Sequence, residues 1–175
     1  MEENKVTFAF CRMNPPHIGH KLVTNVLSMC HNSRLYLTQT QGKKDPLTYD
    51  EKHMFAKEIL GFDQIYPGTT IMNVLVELYN EGFKEIILVA GQDRLDTFKE
   101  LINKYNGVEA KHGFYEFETI ETISSGDRDP DSDDVTGISS SKMREFVAND
   151  DFEGFKTGMP EDYDPTGLFE LLKEK

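Results

Sequence analysis

With 175 residues the chain fits one ordinary domain, long enough to bury a core without disulfide or metal staples. An apolar fraction of 38% with aromatic and β-branched residues in blocks excludes global disorder. The net charge of −12 opposes general binding to nucleic acid or an anionic membrane, so any anion site has to be local.

Lys5 to Phe10 alternates and is rich in Val, Thr and Phe, which predicts a strand; Asn14-Pro15-Pro16 stops it, because proline lacks a donor and restricts its predecessor. Ile18, Leu22, Val26 and Met29 then recur at helical spacing beside Val23, Leu27 and Cys30. Arg34 to Thr40 reads as a second strand, followed by a polar loop from Gln41 to Pro46. A helix capped by Thr48 comes next, with Glu51 completing a capping box. A further helix is expected from Thr70 to Asn80, and the apolar run Glu85 to Ala90 is expected to be the centre of the sheet. Gly91-Gln92-Asp93-Arg94 opens a helix running to Lys104, Asn106-Gly107 makes a turn, and Tyr115 to Ile123 alternates as a later strand. Ser124 to Thr136 is too polar to pack and reads as a mobile loop, after which Ile138 to Ala148 is a capped helix. The tail from Asp150 carries aromatic residues between breakers.

Strands alternating with helices predict an α/β fold, a parallel sheet covered on both faces, with ligands bound beyond the carboxyl ends of its strands. The expected organisation is a single domain over residues 1–149 with an irregular or helical appendage over 150–175 packed on it. Cys11 in a strand and Cys30 in a helix fit a reducing cytosol better than a disulfide framework. The amino terminus lacks the basic-then-apolar profile of a signal peptide, and no apolar run approaches membrane-spanning length, so the protein is expected to stay soluble.

Two clusters could carry chemistry. In the first, His17 and His20 stand three residues apart on the opening turn of a helix, where free backbone amides and the positive end of the helix dipole favour an anion. Gly19 between them lets a bulky ligand approach the backbone. The plainer alternative is that His17 caps a turn and His20 is a surface or core residue; zinc is a weaker option, since Cys11 is the one soft ligand nearby. The second cluster is Ile138-Ser139-Ser140-Ser141-Lys142-Met143-Arg144, where hydroxyls and amides at a helix start, followed by two cations, would make a phosphate cradle. An ordinary serine cap with solvated basic residues is its alternative.

The string from Phe10 to His20 resembles the first signature of the HIGH-type nucleotidyltransferase superfamily, roughly G-[RT]-F-x-P-x-[HT]-x-G-H after a first strand. Ile138 to Arg144 resembles its second signature, I-S-S-[ST]-x-x-R, in the right order and spacing for a chain of this size. Asn14-Pro15-Pro16, Gly126 to Pro130 and Ser141 to Arg144 are similar to nucleotidyltransferases of large tailed bacteriophages. Three positions depart from the pattern: Cys11 stands for the usual glycine, Pro16 for an often aromatic residue, and Asn14 for an acidic residue or glutamine.

The resemblance implies a Rossmann-like fold that moves a nucleoside monophosphate from a nucleoside triphosphate to a small phosphate- or hydroxyl-bearing acceptor, releasing pyrophosphate. AMP from ATP is preferred, and CMP from CTP onto a phosphorylated alcohol is the alternative. His17 and His20 would contact the triphosphate, with His20 steadying the α-phosphate. Ser139, Ser140 and Arg144 would hold the β- and γ-phosphates, with Ile138, Ser141 and Lys142 beside them. A lysine after the second strand would also reach phosphate; counting does not separate Lys43 from Lys44, and Lys44 is taken with His17, His20 and Arg144 as catalytic. Arg12, Met13, Asn14, Gly19, Gly91, Asp93 and Arg94 are assigned to nucleotide binding, Gly91-Gln92-Asp93 being similar to a Gly-x-Asp of nicotinamide mononucleotide adenylyltransferases. Mg2+ would accompany the triphosphate, held largely through water without a carboxylate cage. Homo-oligomers are common among such enzymes, and the expected location is the cytoplasm, that of the host if the chain is phage-encoded.

An aminoacyl-tRNA synthetase core also uses His-x-Gly-His, but this chain has no room for an RNA-binding module and no basic face. A nucleotide-binding or structural module that kept the fold and lost turnover is the non-enzymatic alternative.

Overall fold

The computed structural model describes residues 4–126 and 138–175. By contacts these fall into two compact units interleaved along the chain, one made of residues 4–11, 22–38 and 64–126, the other of 12–21, 39–63 and 138–175.

The first unit is built on five parallel strands, β1 (Lys5–Cys11), β2 (Ser33–Thr38), β3 (Ile65–Gly68), β4 (Glu85–Ala90) and β5 (Thr119–Ser124), in the order β3-β2-β1-β4-β5. Its helices are α1 (Lys21–Ser28), α3 (Ile71–Asn80) and α4 (Gln92–Lys104). Val6, Phe8, Tyr36, Ile86 and Leu88 pack with Val74, Leu75 and Leu78 of α3 and Ile102 of α4. The alternate strand residues Ala9, Leu35, Leu37 and Val89 are buried as well, so both faces of the sheet are covered. This is an α/β, Rossmann-like architecture.

The apolar run of β4 is buried as expected, but the middle strand is β1, which pairs with β2 on one side and β4 on the other. Strand order reverses at β1, whose carboxyl end continues in sequence into residues 12–20.

Three local expectations are corrected. The strand expected from Tyr115 starts at Thr119, because Tyr115 is a fully buried aromatic whose hydroxyl donates to the Ile102 carbonyl at 2.6 Å. The short β3 was not expected; it contains Pro67, which a sheet accepts only at an edge, where β3 lies. Gly68 at its end has room for no Cβ, which would meet Val74 Cγ2 at 2.9 Å and Phe10 Cε2 at 3.0 Å. The helix expected from Ile18 opens instead with a 3₁₀ turn, Ile18–His20, before α1.

The second unit contains that turn, α2 (Tyr49–Leu60), α5 (Ser140–Ala148), α6 (Phe152–Thr157) and α7 (Thr166–Glu174). Leu47, Phe55, Ile59, Met143, Phe155, Met159, Leu168, Phe169 and Leu172 form its core, so the segment after residue 150 is helical and shares a core with α2 and α5. The polar stretch 127–137, most of the expected mobile loop, lies outside the described residues. Among the described residues no helix is long and apolar enough to cross a membrane.

Candidate functional site

Residues 12–20 are held by their own hydrogen bonds. Met13 is buried with φ of 49°, a left-handed conformation a side chain rarely adopts, and the Asn14-Pro15 peptide is cis. The Asn14 side chain, 1% exposed, clips the backbone of Leu47, accepting from its N–H at 2.8 Å and donating to its carbonyl at 3.2 Å. A buried amide paired on both sides fixes the approach of residues 12–20 to the segment before α2.

His17 adopts extended backbone and caps the 3₁₀ turn, its Nδ1 accepting from Gly19 N–H at 3.0 Å. His20 Nδ1 accepts from His17 N–H at 3.1 Å, and the two rings lie 3.8 Å apart, tilted by 31°. A nitrogen that accepts carries no proton in the neutral ring, so these bonds assign the proton of each neutral imidazole to Nε2 and make Nε2–H a donor.

The expectation of free amides on this turn is overturned. His17 N–H donates to His20 Nδ1, Gly19 N–H to His17 Nδ1, His20 N–H to the His17 carbonyl at 3.0 Å and Ile18 N–H to the Gly158 carbonyl at 2.7 Å. Every amide from 17 to 20 is satisfied within the protein, so the backbone of this turn offers no free N–H.

On α5, Ser139 Oγ caps Lys142 N–H at 3.1 Å. Ser140 donates its hydroxyl to the Pro15 carbonyl at 2.9 Å, and Arg144 donates through Nη1 to the Asn14 carbonyl at 2.7 Å and through Nη2 to Ser141 Oγ at 3.1 Å. The two motifs, more than a hundred residues apart in sequence, are thus tied together at their backbones. Burial lowers the Arg144 guanidinium from its ordinary value; Asp45 opposes that shift and the positive charge of Arg12 adds to it. A guanidinium keeps its charge regardless, so Arg12 and Arg144 are like charges that an anion would relieve.

Lys43 and Lys44 occupy the tip of a tight turn closed by Gly42 N–H to Asp45 O at 2.9 Å and Asp45 N–H to Gly42 O at 3.0 Å. Both lysines are exposed, and the turn does not separate them. Below them Asp45 is 6% exposed, with an Oδ1 that has no hydrogen-bond partner among the described residues.

Gly91 caps α4 and Arg94 is exposed in its first turn, both in the first unit; the Asp93 side chain lies outside the described residues. Sequence reasoning missed Asp45, Gly158 and the Asn14–Leu47 clip. A buried aspartate in a lysine-tipped turn carries no signal in the sequence, and the clip and the Gly158 contact join positions far apart in the chain.

Among the described residues no group of three His, Cys, Asp or Glu side chains could hold a metal ion.

No family model matches the chain, and no curated protein matches it. Among solved structures it is similar to a candidate nicotinate-nucleotide adenylyltransferase from Vibrio parahaemolyticus, at 14% identity and a TM-score of 0.57, covering 98% of this chain and 97% of that one. The likeness shows the fold. It runs through both units, from β1 to α7, and at this identity it leaves the chemistry to the residues just described.

Proposed function

We propose that the chain is a nucleotidyltransferase that moves a nucleoside monophosphate, AMP in preference to CMP, from a nucleoside triphosphate onto a small acceptor. The observation that carries the reading is the junction of the two motifs: Ser140 and Arg144 of α5 bond the Pro15 and Asn14 carbonyls, which brings two imidazole Nε2–H donors and a guanidinium into one neighbourhood. Positive groups gathered in a chain of net charge −12 call for a compact polyanion.

In the reaction an oxygen of the acceptor attacks the α-phosphorus in line with the bond to the bridging oxygen, which breaks and leaves with pyrophosphate. A phosphate acceptor needs no proton removed, and a hydroxyl acceptor loses one to solvent. His20 Nε2–H donates to an α-phosphate oxygen as charge builds there, and His17, stacked on it, holds it in place. Arg144 and Arg12 take the β- and γ-phosphates, with Lys43 or Lys44 reaching from the turn. Ser140 donates its hydroxyl hydrogen bond to the Pro15 carbonyl, so its part is to tie the motifs together, and Ser139 shapes the start of α5. Met13, Asn14 and Gly19 shape the loop, and Gly91, Asp93 and Arg94 are assigned to the nucleoside. Magnesium enters as part of the substrate, bound to the triphosphate. Residues 1–149 carry the transfer and 150–175 support it.

Incubation with each of the four magnesium–triphosphates and a panel of phosphorylated and hydroxylated acceptors should release pyrophosphate with ATP. Release with CTP and a phosphorylated alcohol alone would move the assignment to a cytidylyltransferase. No release with any pair, together with tight triphosphate binding, would leave a binding module without turnover.

A further inference from the structure

The segment after α5 reaches back to the first motif at one residue. The Gly158 carbonyl accepts from Ile18 N–H at 2.7 Å, taking the donor that opens the 3₁₀ turn of His17 and His20. The Gly158 Cα also lies against α5. A Cβ there would collide with Met143 Sδ and stand 2.6 Å from its Cε, and Met143 is fully buried. Gly158 has φ of −89° and ψ of 8°, open to any residue, so a side chain there would act through space, by pushing the buried Met143 thioether aside, and not through backbone strain. Its own N–H donates to Phe155 O at 3.1 Å, and Phe155 shares a core with Met143, Leu47 and Phe169.

Met143 stands between Ser140 and Arg144, the two residues that grip the Pro15 and Asn14 carbonyls. Gly158 therefore touches the histidine turn by a hydrogen bond and the α5 grip by packing. We infer that Gly158 is a positioning residue, the point at which the segment after α5 sets the His17–His20 imidazoles against Arg144. The ligand half of the inference rests on the proposed function; the geometric half does not.

Two substitutions address the two contacts separately. Ile18→Pro removes the N–H that Gly158 accepts, while proline suits the first position of a helical turn and His17 before it is already extended, with φ of −153° and ψ of 174°. Ile18→Val keeps the N–H and serves as its control. Gly158→Ala pushes a methyl against Met143. In the full ligand-free chain the imidazole resonances of His17 and His20 are read by NMR, and magnesium–ATP affinity is read by calorimetry.

Ile18→Pro and Gly158→Ala should each displace both imidazole signals well beyond any change in Ile18→Val, and each should raise the magnesium–ATP dissociation constant by about tenfold, ~1.4 kcal/mol. Unmoved imidazole signals in Ile18→Pro overturn the inference, whatever its melting temperature, because Gly158 would then be a packing residue only. Should Gly158→Ala not fold, the Ile18→Pro and Ile18→Val pair still decides. If the unaltered chain binds no triphosphate, the proposed function fails while the resonances still judge the positioning.

Discussion

Each imidazole of the histidine turn uses Nδ1 to hold a backbone amide, so the proposed reaction would place structure and chemistry on different nitrogens of one ring. That division can be tested because asparagine places an acceptor near the Nδ1 position and glutamine places a donor near Nε2. His20→Asn keeps an acceptor for His17 N–H and loses the Nε2 donor that the proposed reaction uses. Its unfolding free energy should stay within about 0.5 kcal/mol of the unaltered chain, while turnover falls on the order of 10²–10³-fold, as for other single donors to a developing oxyanion. His20→Gln should show the reverse bias, with more turnover retained and a less stable turn. Equal turnover in His20→Asn and the unaltered chain would remove His20 from the reaction. The pairing of the two histidines was legible in their spacing, and so was the plainer role of His17 as a cap; both turn out to describe one residue. The free amides expected beside them were not there, because the Ile18 bond to Gly158 spans a distance that no local pattern encodes.

At the scale of elements, α2 shows what a sequence can specify and where it stops. Thr48 and Glu51 form the capping box expected of them, Thr48 N–H donating to Glu51 Oε1 at 2.9 Å and Glu51 N–H to Thr48 Oγ1 at 3.2 Å. Invisible in the local pattern is Lys175 after α7, whose Nζ lies 2.9 Å from the same Oε1. Burial alone would raise the Glu51 carboxyl, but the Thr48 N–H and the Lys175 ammonium together hold it below its ordinary 4.5. A carboxyl lowered by folding stabilises fully above its unfolded value, and that stabilisation disappears as pH falls through the folded one. Glu51→Gln keeps a capping oxygen and drops the charge. It should therefore be less stable by about 0.5–1 kcal/mol at pH 7 in urea unfolding, with the difference shrinking as acid protonates the carboxyl below its ordinary value. A gap that stays constant through that acid titration would assign the effect to packing. Long amphipathic helices and the apolar β4 were legible for the same reason as this cap, since their signal lies within a few turns. The four-residue β3 was hidden by Pro67, and Tyr115 mimicked a strand because its burial comes from α4.

For the whole molecule, charge decides what size of anion can bind. The net charge is −12, yet Arg12, Lys43, Lys44, Lys142 and Arg144 all belong to the two motif stretches and the turn, so the rest of the chain carries an even larger negative excess. On the proposed function a short triphosphate would meet mainly these cations, whereas duplex DNA would also meet the negative excess of the rest of the chain within the screening length, about 10 Å in 0.1 M salt. Saturating magnesium–ATP, at about a hundred times its dissociation constant, should add ~2.7 kcal/mol to unfolding and raise the melting temperature by about 5–10 °C in a chain of this length. Duplex DNA at an equal phosphate concentration in 50 mM salt should leave the melting temperature unchanged and should not compete with ATP. A DNA-induced shift as large as that of ATP would mean that the cations form an extended basic face instead of a pocket, and the nucleotidyltransferase assignment would lose its electrostatic basis.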